Sequence, residues 1–389
     1  MAQGQPLGKG PAATHGAPPT GPQQTAGVPA DLEPDYDAVE PEEEFDHERL
    51  RAWLGERMGR DLPAMEVFQF RGGHSNLTYL LRFTGEEWVM RRPPFGPVPA
   101  SAHDMTREYR VLSRLWKVYP PAPRAILLCE DNAVIGAPFY VMERRTGVVI
   151  RKREPLPQVL GDRPETFRRI SHAFIDALAD LHRVDYVAAG LGDLGRPAGF
   201  LERQIRGWMD RWNRAKAREV PLMGRVGAWL LENMPPAQAP AIIHNDFFLH
   251  NVMLDVRDPG KVVAVLDWEM ATLGDPLVDL GTALGYWLEP TDPKELISRS
   301  DEPGHTLRAG FASRAELISR YSARTGRDVT QIAYYHAFAF WKTATVVEQL
   351  YSRFARGLTH DRRLARMEGE SALLAAAAAG VAEKLGFHP

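Results

Sequence analysis

Apolar positions change their spacing once along this chain of 389 residues, and the change divides it. Between residues 67 and 142 they come in short runs parted by Gly- or Asp-containing turns, which predicts strands at 67–71, 77–83, 88–92, 124–128 and 139–142. One helical pattern, 104–116, lies between the third and fourth, with Val111, Leu112 and Leu115 among its apolar positions. Beyond Thr146 the spacing becomes three and four, as in Phe167, Ile170, Phe174, Leu178 and Leu181. The same pattern predicts helices at 200–218, 307–325, 332–354 and 362–385. Two β-rich pieces sit among these helices, 241–243 with 252–254, and 262–266. Residues 1–45 are rich in Gly, Pro, Ala and Gln and then acidic, with almost nothing to bury, so a disordered tail is expected there. Order is expected from Asp46, an N-cap for a helix that sets Leu50, Trp53, Leu54 and Met58 on one face.

The pattern therefore predicts an α+β chain of two lobes. Residues 46–147 would form a small N-lobe, a five-stranded antiparallel sheet plus one helix, and 148–389 a large, mainly helical C-lobe. A hydrophobic content of 44% is enough for a sizeable core. Forty-seven basic against 50 acidic residues, a net charge of −3, leave no basic field for nucleic acid or an anionic membrane, and neither is expected as a partner. The single cysteine, Cys129, excludes an intrachain disulfide and is expected to pack in a strand. The longest apolar run, 372–381, falls short of the ~20 residues a membrane span needs. No apolar stretch follows Lys9 in the manner of a signal peptide, so a cytoplasmic location is expected.

The chemistry concentrates in His244-Asn245-Asp246, then Asn251, then Asp267 at the end of a predicted strand. That spacing matches phosphoryl transfer: Asp246 to take the proton of an attacking hydroxyl, and Asn251 and Asp267 to hold Mg2+. A hard dication prefers oxygen ligands, so one amide carbonyl and one carboxylate suffice alongside substrate phosphates and water. Upstream, Gly72-Gly73-His74-Ser75-Asn76 joins two predicted strands, where glycine lets backbone N–H groups approach phosphate closely. A plain hairpin turn explains the glycines equally well, but the loop's position before everything else favours phosphate, with Gly73, Ser75 and Asn76 as its contacts. Arg91, near the end of the third strand, stands where a protein kinase carries its phosphate-binding lysine, and Glu108 on the next helix is its expected partner. Arg92 could take the same place one residue on. The run 139–144 reads as a strand entering a hinge whose backbone, near Glu143, would bind adenine.

These pieces together resemble the aminoglycoside phosphotransferase and choline kinase superfamily, in particular the kinase-like domains fused to acyl-CoA dehydrogenases. The matching stretches are GGHSNLTY (72–79), WVMRRPP (88–94), REYRVLSRL (107–115), FYVMER (139–144), HNDFFLHNVML (244–254) and VLDWEMATLGDPLVDLG (265–281). The resemblance implies a bilobal protein-kinase-like fold, ATP and Mg2+ as cofactors, and a small hydroxylated molecule as acceptor. It makes Asp246 catalytic and Asn251 and Asp267 metal ligands, lays Ser75 and Asn76 over the phosphates, and pairs Glu108 with Arg91. Two departures stand out. Family members usually carry Gly where this chain has Asn245, and Trp268-Glu269 replaces the Phe-Gly of protein kinases.

The acceptor stays open at this level. Arg203, Arg206, Trp208, Arg211 and Trp212 on one predicted helix, with Arg151, Lys152 and Arg153 after the hinge, suit an anionic, hydroxyacyl-CoA-like molecule better than a polycationic antibiotic. A solvated helix with its two tryptophans turned inward explains the same residues. Lys342 is a sharper lead, because it interrupts the apolar run 338–347 and a buried lysine needs a partner unless it snorkels to water. An antibiotic kinase and a kinase-fold protein that binds ligand without turnover are the alternatives.

Overall fold

The small lobe is a six-stranded antiparallel sheet ordered β1-β2-β3-β4-β6-β5. Its strands are β1 (Tyr36–Asp37), β2 (Glu66–Phe70), β3 (Leu77–Phe83), β4 (Glu86–Arg92), β5 (Ala125–Cys129) and β6 (Phe139–Glu143), with α1 (His47–Met58) and α2 (Met105–Leu115) inserted. The computed structural model describes residues 35–71, 76–94, 104–152, 154–298, 304–359 and 361–388. Both helices begin at the aspartates that close their first turn, the side chains of Asp46 and Asp104 accepting from the amides of Arg49 and Arg107.

The two-residue period of the strands builds two cores at once. Met90 and Val141 turn toward α1, whose Leu50 and Leu54 close a core on that side with Tyr79 and Leu81. Val89, Tyr140 and Met142 turn the other way, onto Val111 and Leu112 of α2 and the core that continues into the large lobe. The same alternation separates the two arginines. Arg91 shares the face of Val89 and looks into the space between the lobes, whereas Arg92 lies on the opposite face, buried, donating to the carbonyls of Ile135 and Pro93.

A sixth strand, β1, corrects the five-stranded expectation and the tail boundary. Tyr36 and Asp37 pair with Phe70 and Gln69, so the ordered chain begins before residue 46. Residues 1–34 lie outside the described residues.

The large lobe opens with β7 (Val148–Val149), then α3 (Pro164–His182), α4 (Phe200–Ala215) and α5 (Pro221–Glu232). Next come β8 (Ala241–Ile243), β9 (Val252–Leu254), β10 (Val262–Val265), β11 (Thr272–Gly274) and α6 (Pro276–Tyr286). It closes with α7 (Lys294–Ile297), α8 (Arg314–Thr325), α9 (Ile332–Ala355), α10 (Arg362–Ala365) and α11 (Glu370–Glu383). Two predicted helices are trimmed by local chemistry. The expected helix at 307–325 starts only at Arg314, where Ser313 and Glu316 form a reciprocal capping box, and 362–385 is broken at Gly369, whose φ of 82° no continuous helix allows. No described helix is long and apolar enough to cross a membrane.

Two small sheets carry the chemistry. β9 pairs with β10 on one side and β7 on the other, and β8 pairs with β11. Gly147, just before β7, has to be glycine: a Cβ there would meet the Leu254 carbonyl oxygen at 2.5 Å. The backbone leaving the small lobe is thus pressed directly onto β9.

Candidate active site

Between the lobes lies a cavity of about 370 Å3, within the ~300–1,000 Å3 of small-molecule sites. Its inner walls are apolar, with Val89, Met142, Val149, Met253 and Val265 among them, and its far end is polar, with Arg91, Asn251 and Asp267. A cavity with apolar walls, a guanidinium and two oxygen donors suits a heteroaromatic ring carrying phosphates.

The catalytic loop runs from β8 into β9 through a turn at Leu249–Asn251. It is held from beneath by Asp279 of α6, which is fully buried and whose two oxygens accept from the amides of His244 (2.5 Å) and Asn245 (2.6 Å). His182 of α3 completes the support, its Nε2 lying 3.3 Å from Asp279 and its Nδ1 2.7 Å from the Tyr321 hydroxyl. Burial lowers the pKa of His182 against the pull of Asp279 and keeps it neutral. A carboxylate can only accept, so Nε2 carries the hydrogen and Nδ1 accepts from Tyr321.

His244 packs its ring on Trp268 and bonds the Leu266 carbonyl through Nε2 at 2.9 Å, which joins the catalytic loop to the strand that delivers Asp267. The amide of Leu266 in turn donates to the Asn251 carbonyl at 2.8 Å. Asn251 spends its amide nitrogen on the Asp246 carbonyl at 3.0 Å. Its side-chain oxygen, Oδ1, is thereby left for a cation. Asp267 adopts φ 68°, ψ 65°, and its carboxylate is 35% exposed, open to the cavity. These two oxygen donors fit Mg2+, which needs few protein ligands when phosphates supply the rest.

Arg91 ties the small lobe to this turn. Its guanidinium lies 2.5 Å from Glu108 and 3.1 Å from Asp267, so the predicted pair with Glu108 is present and a second one joins it. Burial works against the Arg91 charge, but Glu108, Tyr140 and Asp267 outweigh it and hold its pKa above the ordinary arginine range. Burial pushes the Glu108 carboxyl up, with Arg91 pulling against it. The Nε–H of Arg91 is buried without a hydrogen-bond partner among the described residues.

The other sequence-predicted residues divide. Gly73 and Ser75 lie outside the described residues. Asn76 is buried at the cavity wall and donates to Glu269 at 2.9 Å, a contact from the sheet to the turn after Asp267. Glu143 lines the cavity, and its Oε1 accepts from the Arg124 amide and from Arg145 at 2.8 Å each. Asp246 is not a wall of the cavity. It stands beyond Asn251, 37% exposed, with its Oδ1 3.8 Å from the Lys342 ammonium.

The basic helix face reduces to less than its sequence suggested. Trp208 and Trp212 are buried, Arg203 bonds the carbonyls of Arg196 and Ala198, and Arg206 pairs with Glu202 at 2.9 Å. Arg211 stacks on Trp208, 4.3 Å from its ring centre. Arg153 lies outside the described residues.

Sequence reasoning passed over Asp279, although a lone carboxylate inside the apolar helix Pro276–Tyr286 carries the same signal that marked Lys342. His182, at the end of α3, carries no local signal of its role.

The model of the phosphotransferase enzyme family matches residues 66–317. A crystal structure of a Ralstonia eutropha protein classed among aminoglycoside phosphotransferases is 31% identical, with a TM-score of 0.75 over 88% of this chain and 99% of that one. A thermostable mutant of another aminoglycoside phosphotransferase, solved with ADP and hygromycin B, shares the fold at 16% identity, with a TM-score of 0.53 over 87% of this chain and 99% of its own. Acyl-CoA dehydrogenase family member 11 of Rattus norvegicus is 32% identical over 84% of this chain and 42% of its own length. Family member 10 of Mus musculus is 32% identical over 75% of this chain and 27% of its own. The chain thus spans less than half the length of these two relatives.

Proposed function

The chain belongs to the phosphotransferase enzyme family, and from that premise we propose that it is an ATP- and Mg2+-dependent kinase that phosphorylates a hydroxyl of a small anionic molecule of the hydroxyacyl-CoA kind. The observation that carries the reading is that a guanidinium and two oxygen donors line one cavity between the lobes, with Asp246 bonded through its backbone to one of them. Arg91 and the Asn251–Asp267 pair close the polar end of the cavity, and Asp246 stands just beyond them.

When bound, Mg2+ would neutralise the β- and γ-phosphate oxygens. Asn251 and Asp267 are the residues that would hold it, and Arg91, fixed by Glu108, places a positive charge beside the phosphates. The apolar slot excludes water around the base. Asp246 orients the acceptor hydroxyl and takes its proton as the oxygen attacks. The acceptor class rests on charge: the group nearest Asp246 on the acceptor side is the Lys342 ammonium, with Arg211 on the neighbouring indole, where a polycationic antibiotic would need carboxylates. The names of the acyl-CoA dehydrogenase relatives point the same way.

Two measurements test it. Mg-ATP at about 100 times its Kd should stabilise the fold by ~2.7 kcal/mol, read as a rise in Tm. An acceptor screen with Mg-ATP should phosphorylate hydroxyacyl thioesters and leave aminoglycosides untouched. No nucleotide-dependent rise in Tm would overturn the kinase reading, and transfer to an aminoglycoside would overturn the acceptor class.

A further inference from the structure

Lys342 lies in the middle of α9, buried, about three helical turns or more from either end of the helix. Its ammonium does not snorkel to water. It points into the catalytic loop, donating to the Asn245 carbonyl at 3.0 Å and lying 5.6 Å from the centre of the Trp208 ring. An ammonium removed from water costs several kcal/mol unless it is well paired. Here the pairing is incomplete: an ammonium has three donors, and among the described residues Lys342 makes one hydrogen bond. The Asp246 carboxylate is 3.8 Å away, beyond hydrogen-bond reach. An oxygen atom placed about 2.8 Å from each would fit between them.

We propose that Lys342 is an acceptor-binding catalytic residue, which donates a hydrogen bond to the attacking oxygen while Asp246 accepts that oxygen's proton. The inference rests on the phosphotransfer reading and adds a second group to its acceptor side. In the step, a lone pair of the attacking oxygen forms the bond to the γ-phosphorus. The bond from that phosphorus to the β–γ bridging oxygen breaks with its electron pair remaining on ADP, and the proton passes to Asp246. Lys342 keeps its three hydrogens throughout. Its fixed positive charge offsets the charge shared by Asp246 and the incoming phosphoryl oxygens. Such charge, set in place before the reaction, needs no reorganisation as the transition state forms. The indole of Trp208 supports the cation without competing for its hydrogens. Asn245 contributes only its backbone carbonyl to this arrangement, so the interaction does not depend on the residue type at that position.

The experiment uses the full chain, Mg-ATP, and water as the acceptor, with released phosphate followed over hours. Lys342→Met preserves length and removes charge. It should slow phosphate release by about 10²-fold, as the loss of a preorganised donor does. Affinity for Mg-AMP-PNP should stay within about twofold, and Tm should hold or rise, because replacing a buried ion by an apolar side chain is often stabilising. In an Asp246→Asn background the same substitution should slow release by less than about threefold, since both groups act on one oxygen. Equal hydrolysis by Lys342→Met and wild type overturns the inference alone. So does a parallel fall of Tm and nucleotide affinity, which marks a structural lysine, and so does a wild type that binds Mg-AMP-PNP but releases no phosphate. A wild type that does not bind Mg-AMP-PNP overturns the kinase reading, and this inference with it.

Discussion

Two residues other than glycine have positive φ in the described chain, Asn245 at 70° and Asp267 at 68°, and both stand beside the reacting groups. Left-handed backbone disfavours side chains with a Cβ, and Asn and Asp tolerate it best. That explains why Asn serves at the first position: it keeps the turn, and its side chain adds a hydrogen bond to the Met270 carbonyl at 2.8 Å. The same tolerance makes Asp267→Asn a clean test, because it removes charge without new backbone strain. It should weaken Mg-ATP binding markedly, since a dication loses its anionic protein ligand. Asp246→Asn should leave Mg-ATP affinity nearly intact and lower turnover by about 10²- to 10⁴-fold, the range of general acid–base groups. Titrating Mg-ATP into each variant separates the roles. Lost binding in Asp246→Asn with normal binding in Asp267→Asn would show that they are reversed.

At the scale of elements, the loop that bears Asp246 is shaped by helices far away in sequence. α6 supplies Asp279, α3 supplies His182 and α9 supplies Lys342. The two bonds from the loop amides to Asp279 are needed in an apolar interior, because an unpaired buried amide costs roughly 1–3 kcal/mol. Asp279→Asn can satisfy one of the two loop amides through its carbonyl oxygen but turns an NH2 group toward the other or toward His182. It should destabilise the protein by about 2 kcal/mol in urea unfolding and slow turnover more than it weakens Mg-ATP binding, because the supported residues are 244 and 245 rather than Asn251 or Asp267. Unchanged stability in that variant would refute the support described here.

Across the whole molecule, the sheet edge extends into the segment that composition marks as tail. Besides pairing in β1, Asp37 forms an ion pair with Arg71 at 2.6 Å, the Tyr79 hydroxyl donates to the Glu43 carbonyl at 3.2 Å, and the guanidinium of Arg82 stacks over Tyr36 at 5.2 Å. The exposed ion pair adds little, and the other two are modest interactions worth about 0.5–1 kcal/mol each. Together they predict that deletion of residues 1–45 lowers stability by ~2 kcal/mol relative to deletion of 1–34. A calorimetric scan of the two truncated chains checks this, and equal Tm values would mean that the added strand contributes nothing.

The residue sequence by itself determined what depends on near neighbours. Period-two runs specified the strands of the small lobe, and periods of three and four specified α3, α4 and α9. The Asp246, Asn251 and Asp267 spacing was readable because one hairpin holds all three. Missed elements were those with weak local signals: β1 has only two residues in an acidic, Pro-containing stretch, and α5 and α6 are apolar on most sides and show no clear period. Tertiary structure decided the remainder. Which of Arg91 and Arg92 faces the cavity followed from the register of β4 against β6, since a one-residue slip exchanges the faces. Whether the basic side chains of α4 were available followed from the carbonyls and carboxylates that the fold brings to them. Lys342, 96 positions from Asp246, and Asp279, 34 from Asn245, reach the loop only because α9 and α6 pack behind it. Spacing along the chain carries no record of such contacts. They are set by the packing of apolar helix faces, which many sequences satisfy and which only the folded molecule resolves into particular neighbours.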